Sequence, residues 1–130
     1  MVLVDTSVWV DYFNGVSTPE ADRLDGLLGS GRLLIGDLIL AELLQGFGRD
    51  ADYRRAQRLL LDLPCANLVG REVALAAADN YRTLRTRGIT VRKTIDVLIG
   101  TYCIRAGHEL LHSDRDFDAL ERHLGLQTLR

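Results

Sequence analysis

The chain has 130 residues, of which 47% are hydrophobic and 26% charged, with a formal net charge of −2. That length supports one domain over 1–130, and the near-neutral balance excludes a wholly basic nucleic-acid binder while leaving room for a local basic rim. No apolar run approaches the roughly 20 residues of a membrane helix, so no membrane partner is expected. Met1 leads directly into apolar sequence, without a basic leader or a small-residue cleavage site, which predicts a cytoplasmic protein. Cys65 and Cys103 lie far apart, outside any CxxC pattern, and are expected as buried reduced thiols.

Val2, Leu3 and Val4 form an apolar run without polar alternation, the habit of a parallel strand covered on both faces, and the run stops abruptly at Asp5. Thr6 and Ser7 offer hydroxyls to cap a helix that Val8, Trp9 and Tyr12 pack against the sheet. Thr18 and Pro19 read as the N-cap and first residue of a second helix, whose apolar stripe is Leu24, Leu27 and Leu28. Leu33 to Ile35 is a second short strand, ended by Gly36, and Asp37 is placed to cap a helix reaching about Phe47. Asp50 to Leu63 reads as a further helix stopped by Pro64, and Ala66 to Val69 as a third strand. Arg71 to Gly88 is predicted as a long helix turning Val73, Leu75, Ala77, Ala78, Tyr81 and Leu84 inward. Thr94 is placed to cap a helix from Ile95 to about Ala106, closed by Gly107. Glu109 to His112 is the fourth strand, Asp116 to Leu124 the last helix, and Leu126 to Leu129 an edge strand. Strands alternating with helices require right-handed crossovers. The expected fold is therefore a three-layer α/β/α domain with a mostly parallel sheet of four to five strands.

Most of the 18 acidic residues fall at helix starts or on polar stripes. Five do not fit that reading as easily. Asp5 ends the first strand, at the sheet edge where ligands collect in open α/β folds. Asp96 shares a helical face with Ile99, Gly100 and Cys103, so that face turns inward, and a buried carboxylate must be paired, hydrogen-bonded or bound to a metal. As a first-turn acid it would also be stabilised at the rim by the helix dipole. For Glu42 the spacing favours neither side: Gln45, Gly46 and Arg49 share its stripe, and Leu40, Leu43, Leu44 and Phe47 form the opposite, buried one. Asp114 and Asp116 follow the fourth strand, and one of them is expected to cap the last helix. If strand four lies beside strand one, Asp114 emerges at the same edge as Asp5.

Carboxylates gathered in this way repel one another at neutral pH, and a divalent cation is the usual remedy. Hard oxygen donors, with no His or Cys at ligand spacing, select Mg²⁺ or Mn²⁺ over zinc. His112 is read as structural. Such a cluster suits phosphodiester hydrolysis by a metal-activated water. Ahead of Asp96 the chain carries Arg82, Arg85, Arg87, Arg92 and Lys93 with no acid among them. That pattern fits a rim binding RNA phosphates, and it equally fits a solvated helix end. Arg115, between two acids, reads either as a salt-bridge partner or as a phosphate contact.

Four segments in order, Val4-Asp5-Thr6-Ser7-Val8-Trp9, Ala41-Glu42-Leu43, Asp96-Val97-Leu98-Ile99-Gly100 and Ser113-Asp114-Arg115-Asp116-Phe117, carry a resemblance. Over essentially its whole length the chain is similar to the PIN-domain ribonucleases and, in size and detail, to the VapC toxins of bacterial type II toxin–antitoxin pairs. The resemblance implies that Asp5, Glu42, Asp96 and Asp114 hold Mg²⁺ or Mn²⁺. It implies that Asp116 assists the metal or its water, and that the Thr6 or Ser113 hydroxyl supports the ligands. It further implies endoribonuclease activity on structured RNA such as tRNA or an rRNA loop, inhibition by a cognate VapB-type antitoxin, and a homodimer. The chain departs from the family in having Gly100 where alanine is frequent and Ile95 where a polar residue often precedes the third acid. Three rival readings remain: a non-catalytic PIN-fold module binding RNA or a partner, a DNA nuclease, and a phosphatase with Asp5 as nucleophile. Against the phosphatase, Ser7 stands where such enzymes place a second acid.

Overall fold

A computed structural model describes residues 1–129. Val2, Leu3 and Val4 form β1 (Val2–Val4), and none of the three is accessible to solvent. Strands β2 (Leu33–Gly36) and β4 (Glu109–Leu111) flank β1, and β3 (Cys65–Ala66) pairs with β2. The order is β3-β2-β1-β4 and every pair is parallel. Helices α1 (Thr6–Phe13) and α2 (Pro19–Leu27) link β1 to β2, and α3 (Asp37–Gln45) and α4 (Asp50–Leu61) link β2 to β3. Helices α5 (Gly70–Thr86) and α6 (Thr94–Ala106) return to β4, which is followed by a 3₁₀ turn (Arg115–Phe117) and α7 (Asp118–Leu124).

The first two crossovers step outward from β1, and the third returns across the whole sheet. Right-handed connections running in opposite directions put α1 to α4 on one face and α5 and α6 on the other. The packing agrees: α1 contacts α2 and α3, α3 contacts α4, and α5, α6 and α7 contact one another. This is the expected three-layer arrangement. The direction of winding reverses between β1 and β4, and a sheet of this kind opens a crevice at the carboxyl ends of those two strands. Val4 lies beside Leu111, and the Asp5 N–H donates to the Leu111 carbonyl at 2.9 Å, so both chains leave the sheet at one place.

Several elements differ in detail from the sequence reading. The third strand is Cys65–Ala66 rather than Ala66 to Val69. The Leu68 N–H leaves the ladder and donates to Asp37 Oδ1 at 3.0 Å, an oxygen that also accepts from the Leu38 N–H at 2.9 Å. Asp37 is thus the first residue of α3, behind the cap Gly36, and it ties two loops together. The Leu126 to Leu129 strand reduces to one parallel bridge between Leu110 and Thr128. On α5, Ala77 and Leu84 are buried, but Leu75 is 60% exposed and Ala78 is also exposed, because both lie off the stripe that Ala77 and Leu84 define. Lys93, not Thr94, is the N-cap of α6, and it makes no side-chain capping bond. Cys103 is buried as expected, whereas Cys65 is exposed on the short edge strand; both are free thiols. Among the described residues, no helix is long and apolar enough to cross a membrane.

Two glycines permit close approach between elements. A Cβ on Gly36 would run into three atoms of the Leu68 side chain, and one on Gly100 would meet Leu120 Cδ2. The second contact explains why alanine is not accommodated at Gly100 without movement of a buried leucine. Gly36→Ala should destabilise the fold by about 1–3 kcal/mol through overpacking. Gly100→Ala should cost less, because one methyl must move and the helix gains about 1 kcal/mol of propensity. Denaturant midpoints of the two variants check this order.

Candidate active site

The site begins with the way β1 ends. Asp5 is the N-cap of α1, and its Oδ2 accepts from the Ser7 N–H at 3.1 Å and from the Ser7 hydroxyl at 2.6 Å. Neither Thr6 nor Ser7 caps the helix, because the carboxylate takes that place. Ser7 Oγ in turn accepts the Ser113 N–H at 3.3 Å, joining the loop after β1 to the loop after β4. The Thr6 hydroxyl donates to Glu42 Oε1 at 3.0 Å. Glu42, which the helical stripe of α3 left undecided, is half-buried because α3 packs against α1.

Asp96 lies in the first turn of α6 and is only 4% exposed. Carboxylate oxygens of Asp96, Asp114 and Asp116 lie within 4.8 Å of one another, a grouping able to hold a metal ion. Asp114 Oδ1 accepts the Asp116 N–H at 2.9 Å, so of these two acids Asp114 is the cap, and it caps the 3₁₀ turn. Lys93 Nζ stands 3.4 Å from Asp114 Oδ2, and the Arg92 guanidinium 3.8 Å from Asp116 Oδ1. Asp96 Oδ2 and Asp116 Oδ2 are both buried without a hydrogen-bond partner. Orphaned buried carboxylate oxygens among like charges form a donor set that fits a hard divalent cation.

The electrostatics follow from this crowding. Burial, then the charges of Asp5 and Asp114, push the Asp96 carboxyl up to about 7, with Lys93 opposing and Asp116 adding to the rise. Asp114, then Asp96, raise the Lys93 ammonium above its ordinary value. Burial pushes the Cys103 thiol, on the same helix, up to about 12, and Asp5 reinforces the shift. Cys103 is therefore an inert core group. His112 Nδ1 accepts the Asp114 N–H at 3.2 Å and its ring rests on Phe117, in keeping with the structural reading.

The fold thus gathers Asp5, Asp96, Asp114 and Asp116, together with Arg92 and Lys93, and links Glu42 to the residue next to Asp5. Ser113 enters the hydrogen-bond frame through its backbone N–H. Three of the basic residues lie elsewhere: Arg87 meets His123 Nδ1 at 3.0 Å, Arg85 lies over the Tyr81 ring, and Arg82 is exposed. None of those three contacts an acid of the cluster. The sequence reading missed a cavity of about 420 Å³ adjoining Ser113 and Asp114, which Glu20 and Arg23 of α2 help to line. Its only sequence signal is a pair of charges at a helix start, which looks like ordinary solvated surface.

The PIN domain family model matches residues 2–123. The chain is 36% identical over 130 residues to VapC ribonuclease Mb1587 of Mycobacterium bovis, covering 98% of this chain and 97% of that one. Among solved structures it is similar to VapBC2 from Rickettsia felis bound to a promoter DNA fragment, with a TM-score of 0.76 and 17% identity over 99% of this chain and 98% of that chain. It is also similar to VapBC-1 from nontypeable Haemophilus influenzae, with a TM-score of 0.74 and 21% identity over 99% and 97% of the two chains. The chain belongs to the PIN-domain family, in its VapC branch.

Two outcomes follow from this geometry. A carboxyl whose pKa rises on folding, from 3.8 to about 7, contributes stability that is fully present below about pH 4 and is lost as the pH climbs towards 7. Thermal melts in EDTA should show that loss in the parent and not in Asp96→Asn, which should melt higher at alkaline pH. Added Mg²⁺ should stabilise the parent more than the variant. Thr6→Val should cost about 1 kcal/mol and weaken metal binding measured by calorimetry, because Glu42 loses the donor that aims it.

Proposed function

We propose that the chain is a Mg²⁺- or Mn²⁺-dependent endoribonuclease, the toxin of a toxin–antitoxin pair, acting in the cytoplasm on structured RNA such as tRNA or an rRNA loop. The observation that carries this reading is the convergence of Asp96, Asp114 and Asp116, with Asp5 close enough for its charge to act on Asp96, and with two buried carboxylate oxygens left without partners. The name of the Mycobacterium bovis relative, a VapC ribonuclease, supports it. Asp5, Glu42, Asp96 and Asp114 would hold the cation, which when bound supplies a water activated at neutral pH and charge stabilisation at the phosphoryl group.

The chain's own residues do the rest. Ser7 and Thr6 hold the Asp5 and Glu42 carboxylates in fixed orientations, so little reorganisation is needed when substrate arrives. Asp116 Oδ2 is buried without a hydrogen-bond partner, which supports giving this carboxylate the role of taking a proton from the attacking water. Lys93 and Arg92 are mostly exposed side chains set against Asp114 and Asp116, and they can exchange those carboxylates for phosphates of the RNA backbone. The reading includes one domain over 1–130, a homodimer, and a VapB-type antitoxin that blocks the crevice; the similar solved complexes, named VapBC, support the partner. A non-catalytic binding module gains nothing from orphaned buried carboxylate oxygens, which cost stability.

The test is cleavage of total RNA by the purified, antitoxin-free protein with Mg²⁺ or Mn²⁺, against EDTA, a DNA substrate and Asp96→Asn. Discrete fragments that need the metal are expected, and Asp96→Asn should lose more than the roughly 100-fold seen when outer-shell residues are removed. Intact RNA from folded, metal-loaded protein would leave the non-catalytic module, and preferential cutting of DNA would move the substrate class. Lys93→Ala and Arg92→Ala should each lower the slope of RNA affinity against salt by about one.

A further inference from the structure

The cavity of about 420 Å³ takes no part in the chemistry above, yet it shares Ser113 and Asp114 with the acidic site. Its size falls within the range of small-ligand sites, about 300–1,000 Å³. Glu20 and Arg23 come from α2, and Arg115 and Asp118 from the chain after β4, while Leu111 and Leu129 add apolar surface. Among the described residues, no hydrogen bond or ion pair involves the side chain of Glu20, Arg23, Arg115 or Asp118. Charges of both signs line one cavity without pairing to each other. That combination matches a ligand with an anionic group, a flat apolar body and N–H donors at its edge, which is the chemistry of a nucleotide. His112 also lines the cavity, and because its Nδ1 accepts the Asp114 N–H, a neutral ring carries its proton on Nε2 as a further donor. The position is equally telling. Arg92 and Lys93 approach the acids from the connection between α5 and α6, whereas Arg23 lines the cavity from α2 in the opposite helical layer and Arg115 lines it from the chain after β4, so the loop that carries Asp114 has cations on both sides.

We propose that this cavity seats one unpaired nucleotide of the RNA, beside the phosphate that is cut, and that Glu20 and Asp118 select a base carrying an exocyclic amino group. The inference rests on the nuclease reading for the identity of its ligand. The RNA strand crosses the sheet edge from Arg92 and Lys93, over the acids, to Arg23 and Arg115. Carboxylates accept from the amino groups of cytosine, adenine and guanine, and uracil offers none. The two arginines meet the flanking phosphates.

The test measures binding of short oligo(A), oligo(C) and oligo(U) RNA to the full chain carrying Asp96→Asn, so that cutting does not confuse the affinity. Oligo(A) and oligo(C) should bind more tightly than oligo(U). Glu20→Gln combined with Asp118→Asn should erase that preference, weakening the first two about tenfold. Arg23→Ala combined with Arg115→Ala should weaken all three alike and flatten the salt dependence. All four side chains lie at the surface or half-buried, so the fold should persist, and an unchanged melting temperature checks this. The proposal is overturned if the parent binds none of the oligonucleotides, if it shows no base preference, or if both double variants stay within about twofold of it. It is also overturned if the substitutions weaken binding of the antitoxin's carboxyl-terminal peptide and leave RNA binding intact, for then the cavity seats a protein tail. Metal-dependent cleavage of total RNA by the parent reports separately on the nuclease reading.

Discussion

Mutual repulsion among Asp5, Asp96, Asp114 and Asp116 is the constraint on which the rest of this structure turns. Like charges a few ångströms apart in partly dehydrated surroundings cost several kcal/mol, and a fold that collects them must offset that cost. Three devices are visible. Hydrogen bonds from Ser7 and from the Asp116 N–H stabilise the carboxylates of Asp5 and Asp114. Lys93 and Arg92 supply positive charge at the rim, although with 58% and 82% of their side chains exposed they add little net stability. Asp96, the most enclosed of the four with Asp5, answers by holding its proton to about neutral pH. A bound cation would offset the same repulsion, and the grouping of Asp96, Asp114 and Asp116 is able to hold one.

The hydrogen-bond frame also decides geometry. Thr6 and Ser7 are adjacent in sequence, yet one reaches α3 through Glu42 and the other reaches the loop after β4 through Ser113. Two residues at the start of α1 therefore lock three separate segments around Asp5. On the far side, His112 holds the Asp114 backbone and Asp114 holds that of Asp116, so the order of the loop is built from its own acids. Removing Ser7 would free the Asp5 carboxylate and the Ser113 N–H together, whereas removing Thr6 would free Glu42 alone.

Behind the frame, the apolar core sets how closely these segments approach. β1 is sealed on both faces, and α1 is anchored by the fully buried Val8 and Trp9; within the helix Trp9 stacks on Phe13 and meets Tyr12 edge-on, while Phe13 reaches out of α1 to Phe47 just beyond α3. One turn along from Asp96, Gly100 leaves room for the buried Leu120 of α7 to press on α6. The departure from alanine at this position is thus compensated by α7, and it draws α6 close to the chain that carries Asp114 and Asp116. The core and the site are coupled through this one helix.

The layered parallel fold, the strand that ends at Asp5, the inward face of Asp96 and the acidic loop after strand four were all legible in the sequence, because hydrophobic periodicity and abrupt changes of polarity are local signals. So were the Thr18 cap, whose hydroxyl accepts the Ala21 N–H at 3.0 Å, and the end of α6 at Gly107. Glu42 was not, since its helical stripe faces as much water as core until α1 supplies a hydroxyl. Nor was the division of the basic residues: Arg92 and Lys93 lie on the connection that enters α6 and meet the acids, whereas Arg87 ends on His123 of α7. The short third strand likewise depended on Asp37 capturing the Leu68 N–H from a distant loop. The cavity between α2 and the loop after β4 left only the charges of Glu20 and Arg23 at a helix start, which look like ordinary surface. Sequence by itself determined which segments are apolar, where they stop and which acids stand at the stops, because those properties belong to neighbouring residues. Only the tertiary structure decided which charges meet, because the reversal of winding between β1 and β4 brings together side chains whose separation in the chain carries no signal of their contact.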